Sequence, residues 1–311
     1  MKRSSFDRAS RRKRNEGIKL LLLAAPFLIL VFLFSYYPLY GWAYAFFDYK
    51  PPIPLSKSTF VGFQWFTALL SNPTRVKQLV EVLQNTFAIS GLGILTSWIP
   101  MVFAVFLSEM KLGRVKKGVQ IFTTLPNYIS WVMVYSMAFV LFSSDGMINH
   151  LLMSLGVTDT SVNYLALNDH TWLTMCLWSL WKGLGWNAIL YLAAIAGIDQ
   201  ALYEAARVDG AGRFRLMWHI TLPGLIPTYM VLLLLSVANF LNNGFDQYFV
   251  FQNAFNQSRI QVLDLYVYNI GMKSGSYSLA TAIGIVKSLV SVVLLFSVNG
   301  ISKLLRGETI V

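Results

Sequence analysis

Between Lys19 and Asp48 the chain carries no charged side chain, and that interval opens with LLLLAAPFLILVFLFSYYP. A helix rises about 1.5 Å per residue, so about 20 such residues span the roughly 30 Å hydrocarbon core of a bilayer. No soluble core absorbs a segment that is apolar on every face, whereas lipid does, because a spanning helix satisfies its own backbone hydrogen bonds. Composition extends this to the whole chain. Of 311 residues 56% are apolar and 13% charged, against about a quarter charged in ordinary soluble domains. The expected class is an all-α integral membrane protein.

Six segments have spanning length: 18–38, with a possible continuation to Phe47, then 85–109, 121–143, 171–195, 224–243 and 278–301. Lys and Arg gather in the loops on one side of these spans. The N-terminal stretch holds Lys2, Arg3, Arg8, Arg11, Arg12, Lys13, Arg14 and Lys19, and later loops hold Lys111, Arg114, Lys116 and Lys117, then Arg207, Arg213 and Arg215, then Lys303 and Arg306. The positive-inside rule puts these loops and both termini in the cytoplasm. The same clustering assigns the net charge of +11 to anionic lipid and membrane orientation rather than to nucleic acid. Residues 1–17 read as a basic cytoplasmic tail and 18–311 as one membrane domain. The Ala43-Tyr44-Ala45 triplet has the look of a signal-peptidase site, but the apolar stretch before it is too long and its flanks too bulky, so the first span is expected to stay uncleaved. The tyrosines around it, together with Trp98 and Trp131, read as an interfacial belt.

The single cysteine, Cys176, lies in an apolar segment, and His150, His170 and His219 are scattered. No disulfide or metal site is therefore expected. No G-x-x-x-x-G-K-[ST] run occurs, so a P-loop for ATP is missing, and no nucleophile-and-base motif stands out.

The stretch from Ile198 to Pro227, IDQALYEAARVDGAGRFRLMWHITLPGLIP, is too polar to span and lies on the basic side. It reads as a short helix over Gln200 to Val208, broken at Gly210 and Gly212, followed by an amphipathic turn that ends before Pro223. Glu204-Ala205-Ala206, three residues, Gly210, nine residues and Ile220-Thr221-Leu222-Pro223 resemble the EAA signature of permeases in binding-protein-dependent ABC importers, at every fixed position. In that family the segment, here 198–223, is the coupling helix that docks on a cytoplasmic ATPase. The resemblance gives Glu204, Ala205, Ala206, Asp209, Gly210, Leu222 and Pro223 the coupling role and implies a type I importer permease fold.

Further stretches extend the resemblance. Phe60-Val61-Gly62-Phe63-Gln64-Trp65-Phe66 and Asn85-Thr86 are similar to sugar-type permeases. Leu125-Pro126-Asn127-Tyr128-Ile129-Ser130-Trp131, Trp181-Lys182-Gly183-Leu184-Gly185-Trp186 and Tyr266-Val267-Tyr268 look like permeases for plant-polysaccharide fragments such as aldouronates. The family implies a bacterial cytoplasmic membrane, a second permease of different sequence, two ATPase subunits that hold ATP and Mg, an extracytoplasmic solute-binding protein and an oligosaccharide cargo. No cofactor is expected in this chain.

Polar side chains within spans are costly and turn towards protein or water. In span four, Ser179, Lys182 and Trp186 recur at i, i+3 and i+7 with Trp178 and Trp181 adjacent, and Gly183 and Gly185 leave room for a close neighbour. In span five, Ser236, Asn239 and Asn243 share that spacing and Asn242 lies beside them. Amides and hydroxyls suit a polyhydroxylated ligand, and indole faces suit sugar rings. Counted from the EAA glycine, Ser179, Gly183, Ser236 and Asn243 fall at substrate positions of maltose-type permeases, while Phe240 stands where the resemblance implies a polar residue. A path role and a helix-bridging role are equally open for each. Lys182 and Lys287 are expected to snorkel or pair, although a uronate would favour a cation. Asp246-Gln247-Tyr248 and Asp264 are expected in outer loops, either meeting a binding protein or the sugar's entry route, or simply solvated. Two other classes remain open: a secondary transporter driven by an ion gradient, and a membrane subunit that transports nothing.

Overall fold

The computed structural model describes residues 3–306, with side-chain surroundings given from position 16. That range is mostly helical, with non-helical loops between helices and an isolated antiparallel bridge between Phe47 and Phe60. Helix α1 (Arg3–Val31) begins inside the expected basic tail, passes position 17 without a break, and continues as a π turn (Phe32–Tyr36) and a 3-10 segment (Tyr37–Phe46). Short α2 (Gln64–Ser71) leads to α3 (Pro73–Thr96) and α4 (Ile99–Ser108), then α5 (Gly113–Thr124), α6 (Trp131–Phe142) and α7 (Met147–Ser154). The second half holds α8 (Thr171–Ala196), α9 (Gln200–Val208), α10 (Arg213–Leu216) and α11 (Leu222–Ala238). After these come α12 (Asp246–Phe251), α13 (Gln257–Ile260), α14 (Leu263–Tyr268) and α15 (Tyr277–Arg306).

Among the described residues five stretches are long and apolar enough to cross a bilayer: Glu16–Phe46, Pro73–Ser108, Trp131–Ser154, Arg213–Ala238 and Tyr277–Gly300. A sixth appears if Thr171–Ala196 and the α9 helix, bent by 71° from it, count as one broken span. The expected number of spans is thus found, with three local differences. The second span starts at Pro73 rather than 85, capped by Asn72, whose side chain accepts from the Thr74 amide at 3.0 Å. The expected span 121–143 is interrupted: Leu125–Tyr128 forms a 3-10 turn around Pro126, and extended Ser130 caps a new helix at Trp131. Proline lacks the amide that would continue α5, and it restrains the residue before it.

The third difference concerns Pro223. It does not end a helix, because the chain is continuous from Arg213 to Ala238. The π turn over Met217–Thr221 immediately precedes Leu222, and such a wide turn absorbs the amide that proline cannot supply. The helix stops instead after Ala238, so Asn239, Asn242 and Asn243 lie beyond it.

Helix α8 is the hub, packing against α3, α4, α5 and α11. A Cβ added at Gly185 would sit 2.4 Å from the Thr123 carbonyl carbon, so only glycine lets α5 approach this closely. Polar staples tie span two to the segment before α14. Asn85 Nδ2 donates to the Ser258 and Gln261 carbonyls at 2.9 and 3.2 Å, and Trp172 Nε1 donates to Asn85 Oδ1 at 3.0 Å. Thr86 Oγ1 accepts from the Leu263 amide at 3.0 Å. In lipid such bonds and close packing hold helices together, since apolar burial gives little advantage over hydrocarbon. By contrast, none of the apolar window of Glu16–Phe46 is buried within the chain, which leaves that face to lipid or another subunit.

Candidate functional site: an exposed hairpin and a polar cavity

The α9 helix occupies Gln200–Val208, as its sequence predicts. Asp199 caps it, Oδ1 accepting from the Ala201 amide at 2.9 Å. At its other end the Gly210 amide donates to the Arg207 carbonyl at 3.0 Å and the Ala211 amide to the Ala206 carbonyl at 2.9 Å. Gly210 has φ +77°. This paired closure with a left-handed residue just past the helix is the Schellman arrangement, which favours glycine because it has no Cβ to clash. The glycine of the motif is therefore explained by backbone geometry.

Only Tyr203 of α9 is buried. Its hydroxyl lies 3.0 Å from Thr221 Oγ1, so the short helix is bonded to the π turn at the base of α11. Glu204, Ala205, Arg207, Val208 and Asp209 face outward, and Val208 is 88% exposed. Leu222 is half-buried and Pro223 exposed at the start of α11. A second tie crosses to span two, where Arg213 Nε bonds Glu109 Oε2 at 3.2 Å and its Nη2 reaches the Glu109 carbonyl. The hairpin is held to two spans and presents one uncovered face.

A cavity of about 620 Å³ opens between α3, α8 and α11, within the size range of ordinary ligand pockets. Five of the candidate path residues line it: Ser179, Ser236, Asn239, Asn242 and Asn243. The asparagines reach it from the turn after α11 rather than from a continuous helical face. Trp181, Lys182, Gly183 and Trp186 are not in its lining. Lys182 Nζ donates to the Asn127 carbonyl at 2.8 Å and lies 5.3 Å from the Trp131 ring centroid. Trp186 meets Tyr128 edge to face with centroids 6.0 Å apart, and Trp181 meets Trp178 in the same way at 5.7 Å. Lys182 and Trp186 knit α8 to the interrupted third span, whereas the Trp181 contact stays within α8, and Trp131 serves the α8 contact rather than an outer belt.

Residues missed in the sequence complete the wall. Ser90, Ser97, Asn187 and Tyr229 line the cavity. Helical spacing was enough to find Asn187, two turns beyond Ser179. Gln247 lies behind the wall, 5% exposed: Ser179 Oγ donates to its Oε1 at 2.6 Å, and its Nε2 donates to the Met175 carbonyl at 2.8 Å. Of the readings open for Asp246-Gln247-Tyr248, the solvated one fails for Gln247 and Tyr248, while Asp246 is exposed. Gln247 and Tyr248 are buried on α12, and burial raises the Tyr248 phenol well above its usual range, which keeps it neutral. Asp264 is likewise no free loop carboxylate, since it is ion-paired with Lys287 of α15.

The described residues contain no group of His, Cys, Asp and Glu arranged to hold a metal. What the cavity offers a ligand is uncharged hydrogen bonding beside apolar surface.

Residues 100–307 match the family described as the binding-protein-dependent transport system inner membrane component. Protein LplB of Bacillus subtilis is 41% identical over 293 residues, covering 94% of this chain and 90% of that one. A polygalacturonan/rhamnogalacturonan transport system permease protein, YteP, of the same organism is 37% identical over 94% of this chain and 89% of its own length. Among solved structures, a chain of a bacterial alginate ABC transporter, in complex with a periplasmic protein bound to an alginate pentasaccharide, superposes with a TM-score of 0.82 and 29% identity. That match covers 96% of this chain and 98% of the other. The chain belongs to the family of inner membrane components of binding-protein-dependent transport systems, and it is a permease subunit rather than an enzyme.

Proposed function

We propose that the chain forms half of the translocation path of an ATP-driven oligosaccharide importer in a bacterial cytoplasmic membrane, together with a second, different permease. Two cytoplasmic ATPase subunits holding ATP and Mg would dock on α9, and an external solute-binding protein would deliver the sugar. The observation that carries this reading is the α9 hairpin, with every EAA position present, its outer face uncovered and its inner face bonded through Tyr203 to span five.

Charge supports the orientation. The loops holding Lys111 to Lys117 and Arg207 to Arg215, with the basic N-terminal segment, face the cytoplasm under the positive-inside rule. Closure of the ATPase pair would move α9, and the Tyr203 and Arg213 ties would carry that motion into α11 and α4. The cavity between α8 and α11 would then change its access from one side of the membrane to the other. Ser179, Ser236, Asn239, Asn242 and Asn243 are the path residues on this reading. Trp181, Lys182, Gly183 and Trp186 move with α8, and Lys182 and Trp186 keep its contact with the third span.

The cargo class is supported by the hydroxyl and amide wall, and by relatives whose systems are named for polygalacturonan, rhamnogalacturonan and alginate. Uptake of labelled oligosaccharides into proteoliposomes bearing the whole complex tests the reading. Uptake should need ATP on the α9 side and survive collapse of ion gradients. Uptake that follows an ion gradient and ignores ATP would assign the chain to the ion-coupled class instead.

A further inference from the structure

Among the cavity's lining residues there is no Asp, Glu, Lys, Arg or His. The lysines of α8 and α15 are already committed: Lys182 to the Asn127 carbonyl at 2.8 Å and Lys287 to Asp264. Along this chain's half of the path a carboxylate would leave water without meeting a cation, which is among the costlier events in a protein interior.

The serines of the wall are set as acceptors, beside the amide donors of Asn187, Asn239 and Asn242. The Ser179 hydroxyl gives its proton to Gln247 Oε1 at 2.6 Å, and the Gln247 amide is held in that sense because its Nε2 donates to the Met175 carbonyl. Ser236 gives its proton to the Leu232 carbonyl at 2.9 Å, and Ser90 gives its own to the Phe240 carbonyl at 2.6 Å. A hydroxyl has one proton and two lone pairs, so these three serines offer a ligand lone pairs only. Asn243 donates to Ser90 at 2.8 Å and keeps a buried Oδ1 with no partner, an acceptor that a donor hydroxyl would satisfy. Sugar hydroxyls are donors. A carboxylate is not, and it meets lone pairs at each serine.

We propose that this wall selects uncharged, hydroxyl-rich saccharide units and discriminates against uronates, with Gln247 as the positioning residue that sets Ser179 as an acceptor. The proposal rests on the importer reading and narrows its cargo. It runs against the direction suggested by relatives named for acidic polysaccharides, and it is drawn from the wall itself.

The test uses the complete complex, with its binding protein, in proteoliposomes. Arabino-, xylo- and gluco-tetraoses are compared with galacturonate and mannuronate tetramers by initial ATP-driven uptake. The neutral oligomers should be carried about tenfold faster or more, the order expected when a buried polar group is left unpaired. Ser236→Lys should narrow or reverse that preference by adding a cation to the wall. Gln247→Leu should narrow it by freeing the Ser179 proton to donate. The binding protein is the same throughout, so a changed ratio reports the permease wall and not the delivery step. Equal or faster uptake of uronates, or a ratio that neither substitution moves, overturns the proposal and leaves the importer standing. A complex that carries no oligosaccharide under ATP removes the importer reading itself.

Discussion

Tyr203→Phe isolates the bond that joins the coupling hairpin to span five. The ring stays, so the packing of a side chain only 8% exposed is kept. What is lost is the 3.0 Å contact with Thr221 Oγ1. The Thr221 hydroxyl, 1% exposed, is left with the Leu216 carbonyl at a marginal 3.5 Å. Loss of the bond together with a poorly satisfied buried hydroxyl costs about 1–2 kcal/mol. That is a factor of roughly 5–30 in the balance between a seated and an unseated hairpin. In the reconstituted complex, sugar transported per ATP hydrolysed should fall severalfold while ATP hydrolysis persists, because the docking face of α9 is unchanged. Adding Thr221→Val removes the stranded hydroxyl and should recover much of the loss. Unchanged coupling in Tyr203→Phe, or losses that simply add in the double variant, would refute the strut.

Gly210→Val places a β-branched residue at φ +77°, so α9 should lose about 1–2 kcal/mol of closure, read as weaker ATPase association. Gly185→Ala brings a methyl within 2.4 Å of α5 backbone and should destabilise the chain by about 1–3 kcal/mol, read by thermal unfolding in detergent. Glu109→Arg should break the tie to Arg213 and lower transport per ATP, and adding Arg213→Glu should restore part of it. Asn85→Leu strips the acceptor of Trp172 and the donor of two carbonyls. It should cost about 2–3 kcal/mol by leaving buried polar groups unpaired, again read by unfolding.

The backbone of the α9 hairpin was legible because its signals are local. Asp199 caps the helix, Gly210 closes it, and both act within a few residues of the turn they govern. The number of spans was legible because hydrocarbon imposes one length on every crossing. Span ends were less so. Pro223 reads as a stop, yet the π turn before it lets the helix run on, and that turn leaves no pattern in composition. The asparagines at 239, 242 and 243 were placed on a helix that ends at Ala238, although the following turn still brings them to the cavity. Lys182 and Trp186 share the spacing of Ser179 but meet the third span, since spacing gives a direction around α8 and not the neighbour found there. Gln247 was singled out, but its burial and partners were not legible: it sits in a polar stretch that reads as loop, and Met175 and Ser179 lie about seventy residues earlier in sequence.

The most direct test of the permease assignment is to purify the tagged chain from its native membrane in mild detergent, identify the proteins that accompany it, and assay ATP hydrolysis in the same sample. Recovery of a second permease and an ATPase, with hydrolysis stimulated by a sugar-loaded binding protein, is the result predicted. A chain that emerges alone and without ATPase activity across several mild detergents would contradict the coupling role assigned to α9.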